Sequence, residues 1–299
     1  MIITFFGASV TAQGKGYVTR FKLKSINNDI KVIQKGYGSM HMSDAGICYL
    51  DNIILDKPDI CFIDWFSTGF VGNKERILPY LNTIIKKLND NKIKLVFLYL
   101  PRHPFEEFRG IMYDESQNYL KELGIPFIDI KSNIEKNNIK FDEILRDTVH
   151  TTEKGGEIYG DIVYEWFIKN VSNLKLCNYD IPQNEYYNIK YKILDSPIEI
   201  NDKYEIKGDT SYIRFLIDKS PHNGIVLLNN KRYNFWDQWC HYTRKCLTGS
   251  LPSFKNKLLI EITNEDFDKS KCKIKDLEWE KYEKKIIIHE IFYIGNLEF

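Results

Sequence analysis

Short apolar runs alternate with amphipathic stretches through roughly the first 170 residues, and then the alternation stops. Residues 2–6, 31–34, 60–65, 95–100 and 126–130 have the length and the β-branched, aromatic character of strands. Helical patterns lie between them. In residues 77–88, Ile77, Leu81, Ile84, Ile85 and Leu88 recur at helical spacing. A second pattern, 105–123, ends at Gly124, a C-cap residue, with Pro126 just beyond. A third, from about 154 to 170, carries Ile158, Ile162, Tyr164, Trp166 and Phe167. Strands that alternate with helices predict an α/β domain whose parallel sheet is covered on both faces. In such sheets reactive groups gather beyond the C-terminal ends of the strands. Ser9, Gly38, Ser67 and Arg102 each sit just past a predicted strand.

From about residue 178 the pattern is strand after strand: 186–194, 211–217, 224–228, 258–262 and 286–293. Turn signals separate them, such as Lys207-Gly208-Asp209, Pro221-His222-Asn223-Gly224 and Asn229-Asn230. This predicts a β-rich second domain of sandwich type. The chain has 299 residues, enough for two ordinary domains. The expected division is 1–175 for the α/β domain and 183–299 for the β-rich one, with the boundary in 177–183.

Lys and Arg number 42 against 41 Asp and Glu, so no global field draws the chain to nucleic acid or an anionic membrane. No run of about 18 apolar residues is present, so no membrane-spanning helix is expected. The start shows neither a basic segment nor a long apolar one, and the expected location is cytoplasmic. None of the six cysteines forms a CxxC pair, and no Cys/His cluster has zinc spacing, so neither a metal nor a cofactor is expected. Cys48 and Cys61 lie in apolar runs and read as core. Cys240 and Cys246 are close enough to pair, and a reducing compartment accounts for them equally well.

The chemistry concentrates in two short segments. Ile2-Ile3-Thr4-Phe5-Phe6 breaks into Gly7-Ala8-Ser9-Val10-Thr11, and much later comes Asp147-Thr148-Val149-His150. Together they hold a hydroxyl, an imidazole and a carboxylate, the three groups that activate a serine nucleophile. A strand-to-loop turn of small residues would let Ser9 project from the sheet edge. Taken singly, Ser9 fits a turn or helix N-cap, and Asp147 fits a cap. Gly155-Gly156 follows His150 and leads into the third helical pattern.

These two segments, in this order at the two ends of an α/β domain, resemble the SGNH (GDSL-type) hydrolase superfamily over about residues 1–170. The family's first block is commonly Gly-Asp-Ser-x-Thr, and here Ala8 stands in place of the Asp. Its last block, Asp-x-x-His, matches Asp147 to His150. The resemblance implies a doubly wound, flavodoxin-like sheet with Ser9 as nucleophile, His150 as base and Asp147 as its orienting acid. It also implies an oxyanion hole built from backbone N–H groups of Ser9 and of Gly38 or Ser39. The family's third block carries an Asn that donates from its side chain; this chain has Asp64-Trp65-Phe66-Ser67-Thr68-Gly69 there. Ser67 is the candidate replacement, with Asn73 a second. Turn chemistry accounts for Ser67 and Thr68 as readily.

Arg102 and His103, at the end of a predicted strand, are candidates for holding an anionic or sugar group, or for a solvated loop. Residues 233–242 are rich in aromatics beside Asn, Asp and Gln. Trp236 and Trp239 are candidate sugar platforms there, and a core or interdomain strand fits them as well. The functions implied are a serine esterase removing an acyl group, acetyl first, from a carbohydrate, or an O-acyltransferase using the same triad in surface-polysaccharide assembly. A binding protein that has lost catalysis is a third, with the β-rich domain carrying saccharide recognition. The expected partner is thus an acylated saccharide or other small ester.

Overall fold

The computed structural model describes residues 1–68, 74–104, 112–220, 222–236, 243–265, 270 and 283–298. The chain forms two compact units, Met1–Tyr187 and Asn188–Phe299.

In the first unit the five apolar runs become β1 (Ile2–Gly7), β2 (Lys31–Gly36), β3 (Ile60–Asp64), β4 (Lys94–Tyr99) and β5 (Phe127–Asp129). All pair in parallel, in the order β2-β1-β3-β4-β5. This is the doubly wound, flavodoxin-like order expected. The sequence direction reverses between β2 and β3 across β1, so the loop after β1 opens at the switch point where such sheets place ligands. Register brings three strand ends level: Gly7 lies opposite both Gly36 and Asp64.

The helices are α1 (Tyr17–Lys24), the short α2 (Ala45–Cys48) and α3 (Leu50–Leu55), α4 (Lys74–Asp90), α5 (Met112–Glu122), α6 (Ile130–Lys136), α7 (Phe141–Ile144) and α8 (Glu153–Asn170). The 77–88 and 154–170 patterns are α4 and α8. The 105–123 pattern appears as α5, its first part lying outside the described residues. Gly124 ends it at φ 64, the left-handed conformation a C-cap glycine supplies.

Alternating residues of the central strands feed two buried faces. Phe5, Phe62, Val96 and Leu98 share a core with Tyr17 and Phe21 of α1 and with Tyr159, Val163 and Phe167 of α8. Phe5 stacks on Phe62 at 4.9 Å and meets Phe21 edge-on at 4.9 Å. Phe6, Cys61, Ile63 and Phe97, on the other face, are also fully buried, as are Leu81, Ile84 and Ile85 of α4. Each such side chain contributes about 1.5–3 kcal/mol on leaving water.

α8 is placed by its glycines. A Cβ on Gly155 would run into the carbonyl oxygen of Ile144. One on Gly156 would lie 2.7 Å from the carbonyl oxygen of Lys15. The Asp161 carboxylate completes the fit, taking Arg20 through Nε at 2.8 Å and Nη2 at 3.1 Å. Gly155→Ala tests this docking. Alanine in a helix ordinarily gains up to about 1 kcal/mol over glycine. Here overpacking against a backbone carbonyl outweighs that gain, and a net loss of about 1–3 kcal/mol is expected. Thermal unfolding should show Tm lowered by a few degrees; an unchanged or raised Tm would contradict the packing described.

The second unit is antiparallel and β-rich, as expected. Its strands are β6 (Lys190–Ile200), β7 (Lys203–Lys219), β8 (Ile225–Leu228), β9 (Lys231–Asn234), β10 (Arg244–Leu247), β11 (Lys257–Ile262) and β12 (Ile286–Glu298). They form one hydrogen-bonded sheet, β6-β12-β7-β11-β8-β9, with β10 pairing to β7. Long β7 makes this continuity: it pairs with β11 through residues 203–207 and with β10 through residues 216–219. Ile206, Ile213, Phe215, Leu258, Ile260, Ile288 and Ile291 build its core. The sequence alone indicates the β-rich class, but not that the ladder runs unbroken through all seven strands. Among the described residues no helix is long and apolar enough to cross a membrane.

Candidate active site

Ser9 lies two residues beyond the end of β1, in a turn that doubles back over the sheet edge. Gly7 permits this close approach, since a Cβ there would meet the carbonyl oxygen of Asp64 and the hydroxyl of Thr11. The turn is fixed on β3 at two points. The Ala8 N–H donates to the Asp64 carbonyl at 3.0 Å, and the Thr11 hydroxyl donates to Asp64 Oδ2 at 2.9 Å. Tyr17 backs Thr11, their hydroxyls 2.8 Å apart.

His150 reaches this turn from the loop before α8. Its Nε2 stands 2.8 Å from Ser9 Oγ, and its Nδ1 stands 2.8 Å from Asp147 Oδ2. Burial alone would raise the Asp147 pKa. The backbone N–H groups of His150 and Val149, at 2.8 and 2.9 Å, and the imidazole itself outweigh it and hold the pKa below the usual value. Asp147 is therefore an ionised acceptor, and Nδ1 must carry the proton that it binds. In the neutral imidazole Nε2 then presents its lone pair toward Ser9 and accepts a hydrogen bond from the Ser9 hydroxyl. The structure thus brings together the three residues singled out from sequence.

The loop carrying Asp147 and His150 is braced from both sides. On one side the His103 N–H donates to the Thr148 carbonyl at 2.8 Å, and Arg102 Nη2 donates to the Thr148 hydroxyl at 3.3 Å. Arg102 Nη1 also reaches the Ser67 carbonyl at 3.3 Å. The His103 ring stacks on Phe141 and lies 3.3 Å from Asp142. On the other side Gln13 bonds the backbone of Thr151, with Nε2 donating to the carbonyl at 3.0 Å and Oε1 accepting the N–H at 3.2 Å. A cavity of about 520 Å³ opens there, between Gln13, Lys15, Arg146, Thr151 and Glu153.

The N–H groups of Ser9 and Gly38 have no acceptor among the described residues. Gly38 follows β2 at the same sheet edge, and the space a Cβ would enter there is open. Ser39 beside it is exposed and holds φ at 60. Ser67 lies in a single helical turn, Phe66–Thr68, and is 2 % exposed. Its hydroxyl sits beside the Asp64 carboxyl outside hydrogen-bonding geometry, and it hydrogen-bonds to neither Ser9 nor His150. Trp236 belongs to the second unit, two residues beyond β9, its N–H bonded to Asn234 Oδ1. Asn73, Trp239 and Cys240 lie outside the described residues.

Asp64 and Gln13 went unnoticed in the sequence. Asp64 had a signal, an acid closing the apolar run Ile60-Cys61-Phe62-Ile63. Fully buried, it has its pKa pushed up to about 6 by desolvation, which the surrounding hydroxyl and backbone donors only partly offset. Among the described residues no cation acts on it: its neighbours Thr11, Ser67, Tyr17 and Tyr159 offer hydroxyls. A consequence for stability follows. Below about pH 4 the carboxyl is protonated in folded and unfolded chains alike. As pH rises to about 6 the unfolded chain ionises first, so the folded state loses up to about 3 kcal/mol. Asp64→Asn removes that loss. Urea unfolding should show the variant gaining on the wild type by up to this amount between pH 4 and pH 7; a pH-independent difference would contradict it.

These observations define the class: a five-stranded SGNH-type α/β fold with a Ser-His-Asp hydrogen-bonded chain at its switch point, followed by an antiparallel β-domain. Among solved structures, a two-domain esterase active on acetylated mannans is similar along the chain. It superposes with TM-score 0.71 at 11% identity, over 100% of this chain and 92% of its own. The same esterase co-crystallised with mannopentaose gives 0.70 at 12% identity, with the same coverage. A G-D-S-L family lipolytic protein of Desulfitobacterium hafniense matches 55% of this chain and 98% of its own, with TM-score 0.46 at 18% identity. No family model matches the sequence, and no curated protein does.

Proposed function

We infer that the protein is a serine esterase that removes an acetyl group from a carbohydrate. The observation that carries this is the chain Ser9 Oγ to His150 Nε2 to Asp147, with both contacts at 2.8 Å. Ser9 Oγ attacks the ester carbonyl carbon while His150 Nε2 takes its proton. The N–H groups of Ser9 and Gly38 hold the oxyanion. The carbon–oxygen bond to the sugar breaks, and His150 gives its proton to the departing sugar oxygen. Water then attacks acetyl-Ser9, His150 takes a water proton, and acetate leaves as Ser9 regains its own.

The saccharide assignment is supported by the fold shared along the whole chain with an esterase active on acetylated mannans. Trp236 in the β-domain is the proposed sugar contact. The test is acetate release from acetylated mannan and acetylated xylan, with intact mass measured during turnover. A gain of one acetyl group on Ser9 supports the reading; acetate release with Ser9 never modified would refute the mechanism.

A further inference from the structure

We propose that Gln13 is a positioning residue that locks the base onto the nucleophile. The inference rests on Ser9 and His150 being the reacting pair.

Those two residues are 141 positions apart, and each sits in a loop outside the sheet. Their 2.8 Å contact therefore depends on what ties the loops together. Asp64 and Thr11 fix the Ser9 turn to β3, and Arg102 and His103 fix the far side of the other loop at Thr148. The near side, next to His150, is joined directly to the Ser9 turn, and among the described residues Gln13 makes that join, with the exposed Lys15–Glu153 pair beyond it at the start of α8. A carboxamide presents an N–H donor and a carbonyl acceptor side by side, so it can pair with the N–H and carbonyl of one residue at once. Gln13 uses both, toward the carbonyl and the N–H of Thr151, the residue after His150. The Thr151 hydroxyl donates to the same Oε1 at 3.4 Å. The Gln13 main chain is held in turn: Gln34 Nε2, from β2, donates to the carbonyls of Gln13 and Thr11. A continuous bonded path thus runs from the sheet through Gln34 and Gln13 to the residue beside the base.

Loss of the join would let His150 drift from Ser9 while the other anchors keep the fold. Misplacement of about 1 Å costs roughly 100-fold in rate. Gln13→Met keeps the length of the side chain and removes all three of its hydrogen bonds to Thr151. Its kcat on p-nitrophenyl acetate should fall about 10- to 100-fold with KM within about threefold of wild type. Labelling of Ser9 by a fluorophosphonate should slow in parallel. Gln13→Glu keeps the acceptor but gains a donor only when protonated. Its activity relative to wild type should therefore recover as pH falls, which a general loss of packing would not produce.

Unchanged kcat in Gln13→Met would overturn the proposal. So would a raised KM at unchanged kcat, since Gln13 would then be a wall of the neighbouring cavity only. If the wild type itself fails to label, the Ser9 reading falls separately. The clamp is then judged by proton NMR of the His150 Nδ1–H, which should broaden or shift in Gln13→Met. An unaltered resonance would overturn it.

Discussion

Ser9→Ala is expected to lower ester turnover by about 10⁴-fold or more, with the fold intact. The size follows from the arrangement. On the proposed mechanism the hydroxyl supplies the attacking atom, and among the described residues no other hydroxyl or thiol hydrogen-bonds to His150. Its one hydrogen bond is to His150 Nε2. Removing it takes nothing from the core, since Ala8 and Val10 on either side remain buried. The residual rate would come from water activated by His150 and from the N–H groups of Ser9 and Gly38, both of which survive the substitution. Acetate release and thermal unfolding should be measured on the same preparation. A variant that keeps more than a tenth of wild-type turnover would remove Ser9 from the mechanism.

Asp147→Asn should cost about 10³–10⁴-fold in kcat/KM, again without unfolding. The asparagine oxygen can still accept the N–H groups of Val149 and His150, so the loop is retained. What changes is the imidazole. An amide NH₂ turned toward Nδ1 favours the tautomer with its proton on Nε2, and that nitrogen can no longer accept from Ser9. The variant should also be impaired at every pH where the wild type works, because Asp147 stays ionised below the usual carboxylate range. The pH profile of kcat/KM, measured beside Tm, decides it. Activity within tenfold of wild type would show that Asp147 orients the loop and not the tautomer.

How far the sequence could be read depended on whether the signal was local. The alternation of strand and helix is local, and it led to five parallel strands in the doubly wound order. Ser9, Asp147 and His150 were legible because a small-residue turn after a strand and an Asp-x-x-His before a helix each have a recognisable spacing. Gln13 was not legible: its partner is 138 residues away, and a glutamine in a turn carries no period. Arg102 and His103 stood out for their chemistry, but their loop-bracing contacts with Thr148 appear only in three dimensions. Ser67 shows the same limit. Its position after β3 was correctly placed, yet the side chain faces the buried Asp64 carboxyl. In the second unit the strands were visible as runs, but β9 and β10 are only four residues each. The switch of β7 from one partner to another has no sequence mark.

The long span between Ser9 and His150 has a temporal side. A ribosome adding about 5–20 residues per second exposes the nucleophile roughly 7–28 seconds before it has made the base. Through that interval the growing chain carries Ser9 without the imidazole that meets it in the folded structure. On the proposed mechanism, activity requires the loop before α8, and that helix must seat against α1 to hold the loop in place.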